Sequence, residues 1–132
     1  MGFSEAISFA FIEEAAAAPF LGPQPPVTLA NPLSEKFAVM RPSLAAGLLE
    51  SLLYNRNRQA TDIRLFEIGA VFSKRSGEHQ AIGFVIAGRH PAHWSLRPAP
   101  IGFTDARGVV ELIAEGLGVP LTFAPAAHEP AL

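Results

Sequence analysis

The 132-residue sequence has no cysteine. That excludes a disulfide framework, a thiol nucleophile and any cysteine-ligated zinc centre, and it agrees with a reducing, cytoplasmic compartment. Positive charge is scarce as well. Ten Lys and Arg stand against twelve Asp and Glu, giving a net charge of −2 and a pI near 6.1. Nothing in that balance makes an electrostatic footprint for nucleic acid. No apolar run approaches the roughly 20 residues of a membrane span. No signal peptide is read before Gly2, because strand-like sequence begins at once. The isolated glycines Gly69, Gly83 and Gly88 open no helix and form no phosphate loop; in strands they imply bulges or close backbone approach. No internal repeat is present.

What is plentiful is apolar material: 49% of residues, ten of them Phe. A chain of this length builds one domain, spanning 1–132, and buries about two-thirds of its unfolded surface. The abrupt start and the tail at 125–132, which brings no closing element, are read as marks of an excised piece.

The stretch from Asn31 to Phe72 organises the rest. Asn31-Pro32 is a turn. Arg41-Pro42-Ser43 supplies a helix start, with Ser as cap and Pro where an orphan N–H would sit. Leu44, Leu48 and Leu52 then form one line with Leu49 and Leu53 beside it, a stripe wide enough to lie on a sheet. Arg56 and Arg58 meet the negative end of the helix dipole. From Ile63 to Phe72 the pattern becomes that of a strand. Phe66, Ile68 and Phe72 share one face and Ile63, Leu65 and Val71 the other, which places this strand inside a sheet.

On either side the reading is simpler. Phe3 to Ile12 alternates bulky and small residues as one strand. Glu13 to Ala18 makes a short helix before Pro19, a Pro-rich loop follows, and Val27 to Ala30 is a second short strand. Arg75 to Glu78 is a hairpin-like turn. Gln80 to Arg89 is a strand with Ile82, Phe84 and Ile86 opposing Ala81, Gly83 and Ala87. Residues 89–101 form a long loop. Thr104 caps a helix from Asp105 to about Leu117, stopped by Gly118, and Val119 to Ala124 is a last strand. The expected class is α+β, an antiparallel β-sheet flanked by helices, whose small-residue face is a cleft or a contact surface.

Few residues carry chemistry by pattern. His90 and His93 are three apart, but in a Pro-containing loop with no carboxylate close in sequence; a zinc site needs three or four converging ligands, so no metal site is read there. His79 and His128 are inert by the same reasoning. Glu67 stands mid-strand with Arg64 its nearest charge in sequence. It either grips a substrate amine or a magnesium ion, or pairs with a charge on a neighbouring element, and the structural reading leads. Arg41 either meets phosphate or ties the Asn31–Glu35 turn to the helix start. Trp94 in a Pro-rich loop is a cover or an anchor at a subunit contact. The candidate interface residues are therefore Trp94, Arg41 and Glu67.

Several of these segments carry a resemblance. Asn31-Pro32-Leu33-Ser34, Met40-Arg41 with Ser43-Leu44, Gly47-Leu48-Leu49, and Arg64-Leu65-Phe66-Glu67-Ile68-Gly69 with Val71-Phe72 resemble the C-terminal part of the phenylalanyl-tRNA synthetase beta subunit. So do Gly2-Phe3-Ser4-Glu5 with Ser8-Phe9, His93-Trp94-Ser95, and Phe103-Thr104-Asp105-Ala106-Arg107-Gly108-Val109-Val110-Glu111. Together they cover Gly2 to about Gly118. In that family the segment has the class II synthetase core fold without its catalysis. A working class II core carries an arginine just after the strand equivalent to Ile63–Phe72, which holds the ATP α-phosphate. Here Ser73 stands at that position, followed by Lys74-Arg75, and a neutral hydroxyl cannot make the bidentate contact.

The resemblance therefore implies a non-catalytic assembly domain, with no catalytic, cofactor or metal residues of its own. Its parent would be a phenylalanine–tRNA ligase using ATP and magnesium. Its partner would be the alpha subunit in an alpha2beta2 heterotetramer, with tRNA(Phe) bound by the whole complex. Two rivals stand beside it: an ATP-using ancillary ligase of the same fold, and a regulatory domain binding an amino acid or other small molecule in the cleft.

Overall fold

The computed structural model describes residues 2–90, 94–95 and 99–125. Its centre is a long antiparallel hairpin, β5 (Ile63–Ser73) and β6 (Gly77–Ala87), eleven residues in each strand. The register runs from Ile63 opposite Ala87 to Ser73 opposite Gly77. Gly77 adopts φ +70, the left-handed conformation that glycine enters without steric cost, where the turn rejoins the ladder. Ser73 Oγ closes the turn by accepting the Ser76 N–H at 2.9 Å. β1 (Ser4–Glu5) adds to the other edge of β5 in parallel, giving the order β1-β5-β6. A second sheet orders β2 (Phe11–Ile12), β4 (Val39–Met40) and β3 (Val27–Thr28) as β2-β4-β3, both pairs antiparallel. The α+β class holds, with one parallel pair added.

Helix α2 (Ala45–Asn57) lies on one face of the hairpin. It starts where the sequence places it, with Ser43 Oγ accepting the Ala45 N–H at 3.1 Å. It ends at Asn57 with Arg58 as its cap, and the next residue, Gln59, has a φ of 67, unusual for a residue with a side chain. The buried stripe is narrower than the periodicity suggests. Leu44 and Leu48 are buried, whereas Leu49 and Leu53 are 49% and 60% exposed. Leu44, Leu48 and Val71 form the buried cluster between α2 and the hairpin, with Ala6, Leu65, Ala81 and Val85 against them.

The sheet's two faces are used the opposite way from the expectation. The small-residue face, expected to be a cleft or contact surface, receives α2. A Cβ on Gly83 would stand 3.0 Å from Leu48 Cδ1 and 3.2 Å from Leu44 Cβ, so the missing side chain is what lets the helix approach. The bulky face is the open one, with Ile68 and its cross-strand partner Ile82 58% and 49% exposed.

Two further expectations are corrected. Phe3 to Ile12 is not one strand: β1 and β2 belong to different sheets, and the chain between them leaves Ile7 90% and Phe9 72% exposed. Alternation alone cannot register such a break. Residues 119–125 carry no strand; Phe123 instead lies under the Arg107 guanidinium, 4.6 Å from ring centroid to Cζ. The first short helix is seen as α1 (Glu14–Ala17), continued by a 3-10 turn over Ala18–Phe20. The last, α3 (Phe103–Leu117), begins two residues early because Asp105 Oδ2 accepts the Gly102 N–H at 2.8 Å.

Candidate functional site: a buried ion pair joining two sheets

Arg41 follows β4 directly and sits between the sheets. Its backbone N–H donates to Ala10 O at 2.8 Å and its carbonyl accepts from Phe72 N at 2.9 Å, so its main chain bonds to a strand end on either side. The side chain enters the same junction. Nη1 is 2.6 Å from Glu67 Oε1, and Nε donates to Ala70 O at 2.8 Å. Arg41 and Glu67 retain only 5% and 3% of their surface. The Ser8 hydroxyl donates to Glu67 Oε2 at 2.8 Å and accepts from Arg41 Nη1 at 2.9 Å, while Ser8 N–H donates to Glu67 Oε1 at 3.2 Å. Both carboxylate oxygens are thus engaged, as a buried charge requires.

Two glycines make room for this cluster. A Cβ on Gly69 would fall on Arg41 Nη2, and one on Gly47, inside α2, would fall on Ser8 Oγ. Gly47 therefore keeps a helix-weakening residue at the point where the helix crosses Ser8.

The structure brings together two of the sequence candidates, Arg41 and Glu67, and joins them to each other. Glu67's partner is Arg41, 26 residues away, rather than its sequence neighbour Arg64. Both are inside the chain, so any part they take in an assembly is through the position of β5 and α2. Trp94 lies apart from them and is 92% exposed. Ser8 and Gly47 are given no role by the sequence, whose only signal there is a glycine inside an otherwise strong helix pattern; Gly69, expected to mark a bulge or close backbone approach, is where the Arg41 guanidinium closes on β5.

The remaining candidates are dispersed. His90 does have a carboxylate neighbour, Asp105, with Nε2 3.1 Å from Oδ1. His93 and His128 lie outside the described residues. Arg58 stacks over the Tyr54 ring at 3.6 Å, past the end of α2. Asp62 Oδ1 accepts the Arg89 N–H at 2.8 Å, and that bond, helped by Thr61, holds its carboxyl below the ordinary value. Close by, a Cβ on Gly88 would collide with Thr61 and Asp62, which fits its φ of +112. At the end of β5, Ser73 Oγ lies 2.7 Å from Ser76 Oγ. No group of three or more His, Asp or Glu is placed to hold a metal ion among the described residues. No helix among them is long and apolar enough to cross a membrane.

Comparison with known proteins accounts for the whole chain. The family model described as "Phenylalanyl tRNA synthetase beta chain CLM domain" matches residues 1–132. A phenylalanine–tRNA ligase beta subunit of Hahella chejuensis is 38% identical over 135 residues, covering 99% of this chain and 17% of that protein. The corresponding subunit of Colwellia psychrerythraea is 41% identical over 118 residues, covering 84% and 15%. The chain thus spans about a sixth of the length of the curated relatives it matches. Among solved structures, a pyrrolysyl tRNA synthetase of Desulfitobacterium hafniense superposes with a TM-score of 0.63 over 90% of this chain and 40% of that one. At 23% identity that likeness speaks to fold alone, which is that of a class II synthetase-like domain.

Proposed function

The chain belongs to the phenylalanyl-tRNA synthetase beta chain family, and from that premise we propose that it is a non-catalytic assembly domain from the C-terminal part of a phenylalanine–tRNA ligase beta subunit. Its work is to present a rigid class II-like sheet and helix to an alpha subunit. The alpha subunit activates phenylalanine with ATP and magnesium and charges tRNA(Phe) within an alpha2beta2 complex in the cytoplasm.

The observation that carries this reading is the state of the β5 end. At the position where the resemblance implies a phosphate-holding arginine in a working class II core, Ser73 engages its hydroxyl with Ser76 and closes the turn. The nearby buried cation, Arg41, is already neutralised by Glu67 and bonded to Ala70. Leu44 and Leu48 of α2 cover the sheet floor at Gly83. These residues do not fit a triphosphate, which needs charge-assisted donors that are not already engaged. For assembly they suit well: a satisfied polar junction fixes two sheets relative to each other, and the open face with Ile68 and Ile82, together with Trp94, supplies apolar contact area.

Co-expression with an alpha subunit tests the reading. Co-purification in equimolar amounts is expected, with amide protection gained at β5, β6 and Trp94. The chain by itself is expected to catalyse no phenylalanine-dependent pyrophosphate exchange. Exchange by this chain alone, or failure to retain an alpha subunit, would overturn the proposal.

A further inference from the structure

On the bulky side of the hairpin, a cavity of about 390 Å³ opens between the sheet and α3. Phe3, Ile86 and Leu112 are among its apolar walls, His90, Thr104 and Asp105 line it as well, and Arg64 enters it from β5. Arg64 is half-buried, and among the described residues it has no hydrogen bond or ion pair. The carboxylates around it are otherwise engaged. Asp105 faces His90 with one oxygen and the Gly102 N–H with the other. Asp62 accepts from Arg89 and Thr61. Asp62 lies close enough to feel the charge of Arg64 but makes no direct bond to it, so the guanidinium's donors stand unengaged beside an apolar hollow.

We propose that this cavity binds a small monocarboxylate with an apolar body, its carboxylate forked onto Arg64 and its hydrocarbon part against Phe3, Ile86 and Leu112. The planar guanidinium matches a carboxylate through two parallel bonds. A doubly charged phosphate is disfavoured by Asp62 and Asp105 nearby, and a wholly apolar ligand would leave the donors of Arg64 unused. The volume lies at the lower end of small-molecule sites, which sets an upper size near that of an arylpropionate. Gly108 of α3 lines the hollow, and a Cβ there would meet nothing within 4 Å.

The test is a chemical-shift titration of the ¹⁵N-labelled 132-residue chain with 3-phenylpropionate, and in parallel with neutral 3-phenylpropanamide. Saturable shifts are expected at Phe3, Arg64 and Gly108 with the acid, and at least tenfold weaker binding of the amide. Arg64→Gln should weaken the acid at least tenfold. Gly108→Leu fills the hollow and replaces a helix-interior glycine, so it should abolish binding while raising Tm. Shifts located elsewhere, equal binding of acid and amide, or indifference to both substitutions would overturn the proposal. Because no readout involves the alpha subunit or aminoacylation, its failure leaves the assembly reading untouched.

Discussion

Replacing Arg41 by Met removes one side chain and unbalances an entire junction. Glu67 would remain 3% exposed with its two Ser8 donors and no countercharge, and Ala70 O would lose its donor. Breaking one partner of a buried ion pair costs about 3–5 kcal/mol, because the remaining charge is desolvated and unpaired. For a domain whose total stability is about 5–15 kcal/mol, that is about a fifth or more of the whole and a fall in Tm of roughly 10–20 °C. Removing both charges is predicted to hurt less. Arg41→Met with Glu67→Leu leaves no buried ion, and what it strands are neutral groups in part-buried bonds, the Ser8 donors and the Ala70 carbonyl, rather than a desolvated charge. The double variant should therefore be more stable than Arg41→Met alone. Urea titration of the four proteins of the cycle measures this directly, with m-values checked for a common unfolded state. If Arg41→Met costs under about 1 kcal/mol, or if the two substitutions simply add, the ion pair does not hold the sheets together and the argument fails.

Other outcomes follow from the same geometry. Gly47→Ala, which in an exposed helix would gain about 1 kcal/mol, should instead destabilise, and pairing it with Ser8→Gly should recover part of the loss; a gain in thermal stability for the single variant would contradict the packing. Gly83→Val should push α2 from the sheet and cost about 1–3 kcal/mol, read as a lowered urea midpoint. Gln59→Gly relieves a left-handed residue at the end of α2 and should raise stability by a few tenths to about 1 kcal/mol. The Asp62 carboxyl, held down chiefly by the Arg89 N–H, should titrate below 3.8 by NMR. Its folded pKa is lowered, so its contribution is present above that value and disappears as pH falls further; Asp62→Asn should flatten stability in that acid range.

The sequence made α2 and the β5–β6 hairpin readable because each is long and strongly periodic, and the resemblance rested on the same residues. The segment before α1 differs from expectation because alternation over ten residues looks alike whether one strand or two use it. The β1–β2 break is decided by Arg41, whose backbone draws Ala10 to the second sheet. Glu67's partner was hidden by distance along the chain. The faces of the sheet are reversed because small residues suit a cleft or contact surface and an approaching helix alike, and here Leu44 and Leu48 are the occupants. Arg64 drew notice only as a neighbour of Glu67. Its own hollow depends on α3, which arrives some forty positions later.

Ser8 lies between β1 and β2, Gly47 in α2 and Gly69 in β5, yet they share one small volume with Arg41 and Glu67. None of the five can drift alone. A lineage that puts a side chain at position 47 must first shrink position 8, and one that loses the guanidinium must also neutralise position 67. Mutational histories at these sites should therefore proceed in linked steps, with single-step intermediates rare, even though no two of the glycines are neighbours in the chain.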